Sequence, residues 1–183
     1  MEIEGAGARP GAEPGSGSDL GAGGGLLEIL FVCTGNTCRS PLAEGVARQL
    51  VRERGLQLAV SSAGVAARDG EPASPEAIRA ANDLGIDLGA HASRLLTRRM
   101  ALDAAVILVL GPQHSGLLRV LAPEALPRVH LLREYATRGL ESHEVPDPIG
   151  GDLETYRRTL SVIRDLVEKS LQRVVEDAQT RMA

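Results

Sequence analysis

The sequence predicts an α/β fold of three layers, a four-stranded parallel sheet of order 2-1-3-4 with helices on both faces. Three observations lead there. Short, nearly continuous apolar runs such as Leu27–Val32 and Ala104–Leu110 have the pattern of strands buried on both faces. Between such runs lie stretches whose apolar residues recur at helical spacing, with Ser, Pro or Asp at their starts and Gly at the stops. Strands that alternate with helices pair in parallel through right-handed crossovers, which puts helices on both sides of one sheet.

Residues 1–25 stand outside that pattern. Gly, Ala, Pro and Ser dominate them and no apolar period runs through them, so they predict a disordered tail ahead of one domain over residues 26–178. Leu27–Val32 is the first strand. Leu42, Val46 and Leu50, with Ala43 and Ala47 beside them, make the first crossover helix, which Gly55 ends. Leu56–Val60 predicts the second strand, closed by a turn at Ser61-Ser62-Ala63-Gly64. Ser74-Pro75-Glu76 starts a helix with Ile78, Ala81 and Leu84 inward, and Gly85 stops it. Ala104–Leu110 is the third strand, broken by Gly111-Pro112, and Leu117, Leu118 and Leu121 continue as a helix. Arg128–Leu132 is a short fourth strand. Asp152 caps a long last helix with the stripe Tyr156, Leu160, Ile163, Val167, Leu171 and Val174. His114 and His130 read as structural, because neither has a partner nearby in sequence. The architecture is flavodoxin-like, and in such sheets ligands bind beyond the carboxyl ends of the strands, beside the first strand.

That place is occupied by Cys33-Thr-Gly-Asn-Thr-Cys-Arg-Ser-Pro41. Ser40 as N-cap and Pro41 at the first helical position predict a helix start directly after a tight loop. Unpaired N–H groups at a helix start, together with the macrodipole, favour negative charge there. Gly35 permits a positive φ and Asn36 tolerates one, so successive amides can curl around a tetrahedral oxyanion. Arg39 adds a planar fork that holds two anion oxygens. Cys33 lies at the floor, where the same positive field favours thiolate over thiol. A thiolate under a phosphate is placed for phosphoryl transfer to sulfur. Two other readings of these residues are a structural cysteine in a buried turn and half of a zinc site. Zinc takes about four ligands, and Cys33 and Cys38 are the only cysteines, with no histidine near them in sequence.

The nine-residue stretch Cys33–Pro41 resembles the signature loop of the low-molecular-weight protein tyrosine phosphatase family, Cys-x5-Arg-Ser followed by Pro. The resemblance implies Cys33 as nucleophile, and phosphate held by Arg39 and by the loop from Thr34 through Gly35, Asn36, Thr37 and Cys38 to Ser40. It implies Asp147, in the Asp-Pro turn before the last helix, as general acid, and Ser62 and His91 as supports of the loop. Ser40 is expected to stabilise the Cys33 thiolate by a hydrogen bond. It also implies that Cys38 can trap Cys33 as a disulfide, protecting it from irreversible oxidation. The residues by themselves leave other readings open: Ser62 as turn chemistry, His91 as a satisfied polar side chain, Asp147 as a turn residue, Cys38 as a small buried filler. No cofactor and no metal are implied, since Arg39 and the amides supply the positive charge.

Substrate choice turns on Thr37 and on aromatic content. Phosphotyrosine is usually gripped by aromatic walls, whereas this chain has only Phe31, Tyr135 and Tyr156. Tyrosine-specific relatives generally carry a bulkier aliphatic residue, often Ile, at the position of Thr37. The loop, the Asp-Pro-x-Gly-Gly turn at Asp147–Gly151 and the Tyr156-Arg157 pair resemble the protein arginine phosphatase branch, with Ile149 replacing the Phe expected there. The expected function is hydrolysis of phosphoarginine in proteins through a cysteinyl-phosphate intermediate. The alternative is a tyrosine phosphatase. Arsenate reduction with an external thiol and a non-catalytic phosphate- or redox-sensing module stand behind these; the thioredoxin-coupled reductase needs cysteines after Cys38, and there are none.

Composition sets the remaining bounds. A net charge of −4 gives no basic footprint for nucleic acid. No stretch approaches the roughly 18 apolar residues of a membrane span, and residues 1–25 lack the basic start and apolar core of a secretory signal. Two cysteines, one needed as a thiolate, suit a reducing compartment. The expected setting is the cytoplasm, and the expected partners are phosphorylated proteins.

Overall fold

The computed structural model describes residues 26–182, so the expected tail over residues 1–25 lies outside the described residues. Four strands, β1 (Leu27–Cys33), β2 (Leu58–Gly64), β3 (Val106–Val109) and β4 (Val129–Leu131), form one parallel sheet in the order β2-β1-β3-β4. The predicted order is the observed one. The alternation along β1 explains the layers. Ile29 and Phe31 face one side and pack with α1 (Arg39–Glu53), α2 (Pro75–Asn82), α5 (Leu132–Ala136) and α6 (Leu153–Met182). Leu30 and Val32 face the other side, toward α3 (Arg98–Asp103), α4 (His114–Leu121) and a 3-10 turn at Pro123–Arg128. All four of these side chains are fully buried, as a central strand covered on both faces requires. Among the described residues no helix is long and apolar enough to cross a membrane.

The structure corrects several local expectations. The second strand runs from Leu58 to Gly64 rather than Leu56 to Val60, and Ser61-Ser62-Ala63-Gly64 is ladder, not turn. Polar Ser61 and Ser62 hid its second half; Ser61 pairs with Glu28, and Ser62 turns into the site. Helix α1 begins at Arg39 with Cys38 as N-cap and no side-chain cap, so Ser40 is a helical residue. The inner face of α2 is Ala77, Ala80 and Ala81, with Ile78 and Leu84 only half-buried, and α4 buries His114 and Leu118 while Leu117 is exposed. Small alanines let α2 sit close against α1 and α6. The stripe of α6 is buried as predicted, with Leu166 added to it.

Candidate active site

The site grows from the end of β1. Its last residue, Cys33, pairs in register with Gly64 of β2, and the chain turns at once into the loop that enters α1. Gly64 makes that turn possible. A Cβ there would lie 2.5 Å from the Thr34 carbonyl oxygen and 2.8 Å from the Asn36 nitrogen. Of the two residues that could take a positive φ, Asn36 adopts the left-handed backbone conformation at φ 55° and Gly35 does not. Asn tolerates this region because its short polar side chain bonds locally. The first turn of α1 carries no capping side chain, so its N–H groups stay available to an anion at the loop.

The Asn36 side chain fixes the loop from within. Its Nδ2 donates to Ser40 Oγ at 2.9 Å and to Ser62 Oγ at 2.8 Å, while its Oδ1 accepts from the Arg94 backbone N–H at 2.8 Å. His91 Nε2 donates to the Asn36 carbonyl at 2.8 Å. Ser62 in turn donates to the buried Glu44 carboxylate. A carboxylate only accepts. The Ser62 proton is therefore committed to Glu44, and the Ser62 oxygen is left to accept from Asn36. Ser40 Oγ, which accepts from Asn36, lies 3.0 Å from Cys33 Sγ and donates to the Ala63 carbonyl at 3.4 Å.

Cys33 is nearly fully buried. Burial pushes its thiol above the ordinary value, against the pull of the Ser40 hydrogen bond, the Asn36 N–H at 3.3 Å and the Arg39 charge. The expected positive field is present, but desolvation opposes it and is the larger effect in the free site. A phosphate oxygen held over the sulfur can take up the thiol proton, so the attacking group still becomes a thiolate.

Arg39, 2 % exposed, lies under the loop with Nη1 on the Val145 carbonyl at 3.3 Å and Nη2 on Asp147 at 2.5 Å. The Asp147 turn is moored to the sheet, since the Val145 N–H donates to the Leu110 carbonyl at 3.0 Å beyond the end of β3. The Asp147 carboxylate is 40 % exposed, open on one side and paired on the other. Asp147 Oδ1 also accepts from the Ile149 N–H at 3.2 Å, and Ile149 is 73 % exposed beside it. Nucleophile, cation and carboxylate thus meet at one mouth, although 108 residues separate Arg39 from Asp147.

The two cysteines face different partners. Both are free thiols, and Cys38 Sγ lies 3.3 Å from Tyr156 Oη and 3.5 Å from Ser74 Oγ. Burial and the adjacent Cys38 push the Tyr156 hydroxyl up to about 12, so it stays protonated. The Thr37 carbonyl accepts from the Ser74 N–H at 2.8 Å, so the start of α2 holds this side of the loop. Among the described residues no cluster of three or more His, Cys, Asp or Glu could hold a metal ion.

Sequence reasoning missed Glu44 and the contact that His114 makes. Glu44 looks like the polar side of a helix, but Ser62 and Arg48 bury and pair it. His114 is fully buried, and its Nε2 lies 3.1 Å from the Thr34 hydroxyl, 80 residues away in sequence. A signal was available: His114 stands two residues past the Gly111-Pro112 break at the carboxyl edge of the sheet, where ligands bind.

Comparison with known proteins agrees with this geometry. The family model for low molecular weight phosphotyrosine protein phosphatase matches residues 28–180. A protein-arginine-phosphatase of Bacillus subtilis is 34% identical over 152 residues, covering 82% of this chain and 99% of its own. The low molecular weight protein-tyrosine-phosphatase Etp of Escherichia coli is 34% identical over 135 residues, 74% of this chain and 86% of its own. A crystal structure of a YwlE mutant from Bacillus subtilis superimposes with a TM-score of 0.77 at 32% identity, covering 81% of this chain and 98% of that one. Sequence model, curated relatives and fold agree: the chain belongs to the low molecular weight phosphotyrosine protein phosphatase family.

Proposed function

We propose that this chain is a cysteine-dependent phosphatase that removes phosphate from phosphoarginine residues of proteins. The observation that carries the choice of substrate is the fate of its aromatic side chains. Phe31, Tyr135 and Tyr156 are 0 %, 4 % and 3 % exposed, so no ring lines the mouth to grip a phenol. The half-buried Thr37 and the open face of the Asp147 carboxylate stand there instead. Both accept hydrogen bonds, and a guanidinium offers only donors. The relatives named as protein-arginine-phosphatases, from Bacillus subtilis and Geobacillus stearothermophilus, support the same reading.

The reaction has two steps. Cys33 Sγ attacks phosphorus in line, forming the S–P bond as the P–N bond breaks, and Asp147 delivers a proton to the departing guanidine nitrogen. Arg39, released from its pairing with Asp147, and the loop amides hold the three equatorial oxygens. Water then attacks the phosphocysteine, Asp147 accepts its proton, and the S–P bond breaks to return the thiolate, which the Ser40 hydroxyl stabilises as a leaving group. The loop chemistry is the same for a phosphotyrosine, so only the mouth distinguishes the substrates.

The test is phosphate release by the purified full chain from a phosphoarginine peptide and a matched phosphotyrosine peptide, with Cys33→Ser as control. The reading requires the phosphoarginine peptide to be the better substrate by kcat/KM and Cys33→Ser to release no phosphate. Equal or better turnover of the phosphotyrosine peptide would overturn it in favour of a tyrosine phosphatase.

A further inference from the structure

A cavity of about 350 Å³, which the reaction above does not use, lies between α1, the edge of β2 and the segment 87–94. β2 is an edge strand, and its backbone groups alternate in direction. The Val65 N–H donates inward to the Cys33 carbonyl at 2.9 Å, whereas the Gly64 N–H donates outward to the Arg94 carbonyl at 2.9 Å. The carbonyls of Val60 and Ser62 point outward with Gly64. Arg48 Nη2 donates to the first at 3.3 Å, and Arg94 Nη2 donates to the second at 2.9 Å. Two residues apart on one edge, these carbonyls are separated by about 6.6 Å. Two guanidinium groups that line one cavity are thereby held at a set spacing.

The rest of each guanidinium fork is open. Arg48 spends only Nη2, on Val60 and on Glu44 Oε1 at 2.6 Å, and the Arg94 side chain spends only Nη2. Among the described residues the remaining nitrogens of both side chains have no protein acceptor. The other polar groups of the lining are largely spoken for. Glu44 gives one oxygen to Ser62 and the other to Arg48, Asp87 Oδ1 accepts from the Gly89 N–H at 2.7 Å, and His91 Nε2 is taken by the Asn36 carbonyl. Charged donors therefore remain in excess over acceptors. A tetrahedral oxyanion held at charge-assisted distances of about 2.8 Å on either side bridges a gap of this order, and the planar fork suits it. Pro41, Leu88, Ala90 and Ala92 add an apolar lining. The volume is that of a small organic ligand's pocket and exceeds what one oxyanion fills.

We propose that this cavity is a second anion site, distinct from the catalytic loop, which takes the phosphate or phosphonate group of a small organic molecule between Arg48 and Arg94. Its occupant lies against the groups that brace the loop. The Arg94 backbone N–H holds Asn36 Oδ1 at 2.8 Å, His91 holds the Asn36 carbonyl at 2.8 Å, and the Asn36 N–H reaches Cys33 Sγ at 3.3 Å. A ligand that draws on the Arg94 side chain thus acts on the residue that positions the nucleophile.

Binding is measured on the full chain alkylated at Cys33, which closes the catalytic loop to anions and leaves the cavity open. The probe is phenylphosphonate, followed by calorimetry and by amide NMR. One binding event is expected, with larger shifts at Arg48, Ser61 and Arg94 than at residues 34–40. Arg48→Gln, at an exposed side chain, is expected to weaken binding by about tenfold or more through loss of a charge-assisted hydrogen bond. Asp87→Asn, which removes a negative charge from the lining, is expected to tighten it by about threefold. Inorganic phosphate is expected to bind about tenfold more weakly than phenylphosphonate, because it leaves the apolar lining uncovered. No binding to the alkylated chain, shifts confined to residues 34–40, or an affinity that neither variant moves overturns the proposal. Phosphate bound as tightly as phenylphosphonate overturns its organic part. Should Arg48→Gln fail to fold, Asp87→Asn decides alone. None of these readouts needs turnover, so they stand apart from the choice between phosphoarginine and phosphotyrosine.

Discussion

Ser40 Oγ lies 3.0 Å from Cys33 Sγ, seven residues earlier, and Asn36 Nδ2, 2.9 Å from the same oxygen, takes one of its lone pairs. The serine that resembles a helix cap in sequence instead lies against the nucleophile and the Ala63 carbonyl, and the first turn of α1 carries no capping side chain. Burial raises the Cys33 thiol while Ser40 is the largest influence lowering it. Ser40→Ala is therefore expected to raise the thiol further, moving the pH dependence of iodoacetamide alkylation upward. Turnover should fall by about 10-fold to 100-fold, consistent with losing one hydrogen bond to a charged group. An unmoved alkylation profile would count against this role.

Asp147 pairs with Arg39 at 2.5 Å while keeping one side open. Asp147→Asn keeps the shape and removes the proton donor, so kcat is expected to drop by about 10² to 10⁴. Steady-state kinetics on the phosphoarginine peptide checks this. Retention of full activity would remove Asp147 from the reaction.

Gly64 is the point where β2 lets the loop pass. Because a Cβ would stand 2.5 Å from the Thr34 carbonyl oxygen and 2.8 Å from the Asn36 nitrogen, and both are backbone, Gly64→Ala must displace the loop. A shift of about 1 Å in a catalytic group costs on the order of 10²-fold in rate. Circular dichroism and kcat together test the expectation of a folded but nearly inactive protein. Normal activity in Gly64→Ala would contradict the close approach.

Burial holds His114 down to about 4, from an ordinary 6.5. Between those values the unfolded chain binds a proton that the folded chain does not, so stability rises with pH across that window and is lost as pH falls through it. The loss from pH 7 to pH 4 is expected to be on the order of 2 kcal/mol. Urea midpoints for wild type and His114→Phe read it out directly. The variant should show a shallower decline, and parallel curves would assign the acid sensitivity elsewhere.

The parts legible in sequence were those whose cause is local. The run Leu27–Val32, the loop from Cys33 and the signal at Ser74-Pro75 carry their own periodicity and turn chemistry, and Ser74 does cap α2 by accepting from the Ala77 N–H. The end of β2 was not legible, because Ser61 and Ser62 interrupt the apolar pattern to serve Glu28 and Asn36. Glu44 and His114 were hidden for a different reason: their partners are supplied by folding, from β2 for Glu44 and from the loop after β1 for His114. With a partner 80 residues away, His114 shows in sequence only its place just past the Gly111-Pro112 break, not the contact it makes. Asn36 rather than Gly35 takes the positive φ because its side chain is bonded on both sides, a constraint that residue type alone does not reveal.

The central claim is that the mouth is built for a guanidinium and not for a phenol, and Thr37 is the residue on which it turns. The most direct measurement is the ratio of kcat/KM for a phosphoarginine peptide to that for a matched phosphotyrosine peptide, in wild type and in Thr37→Ile. The ratio is expected to be well above one in the wild type and to fall by about tenfold or more in Thr37→Ile. A wild-type ratio at or below one, or a ratio that Thr37→Ile leaves unchanged, would contradict it.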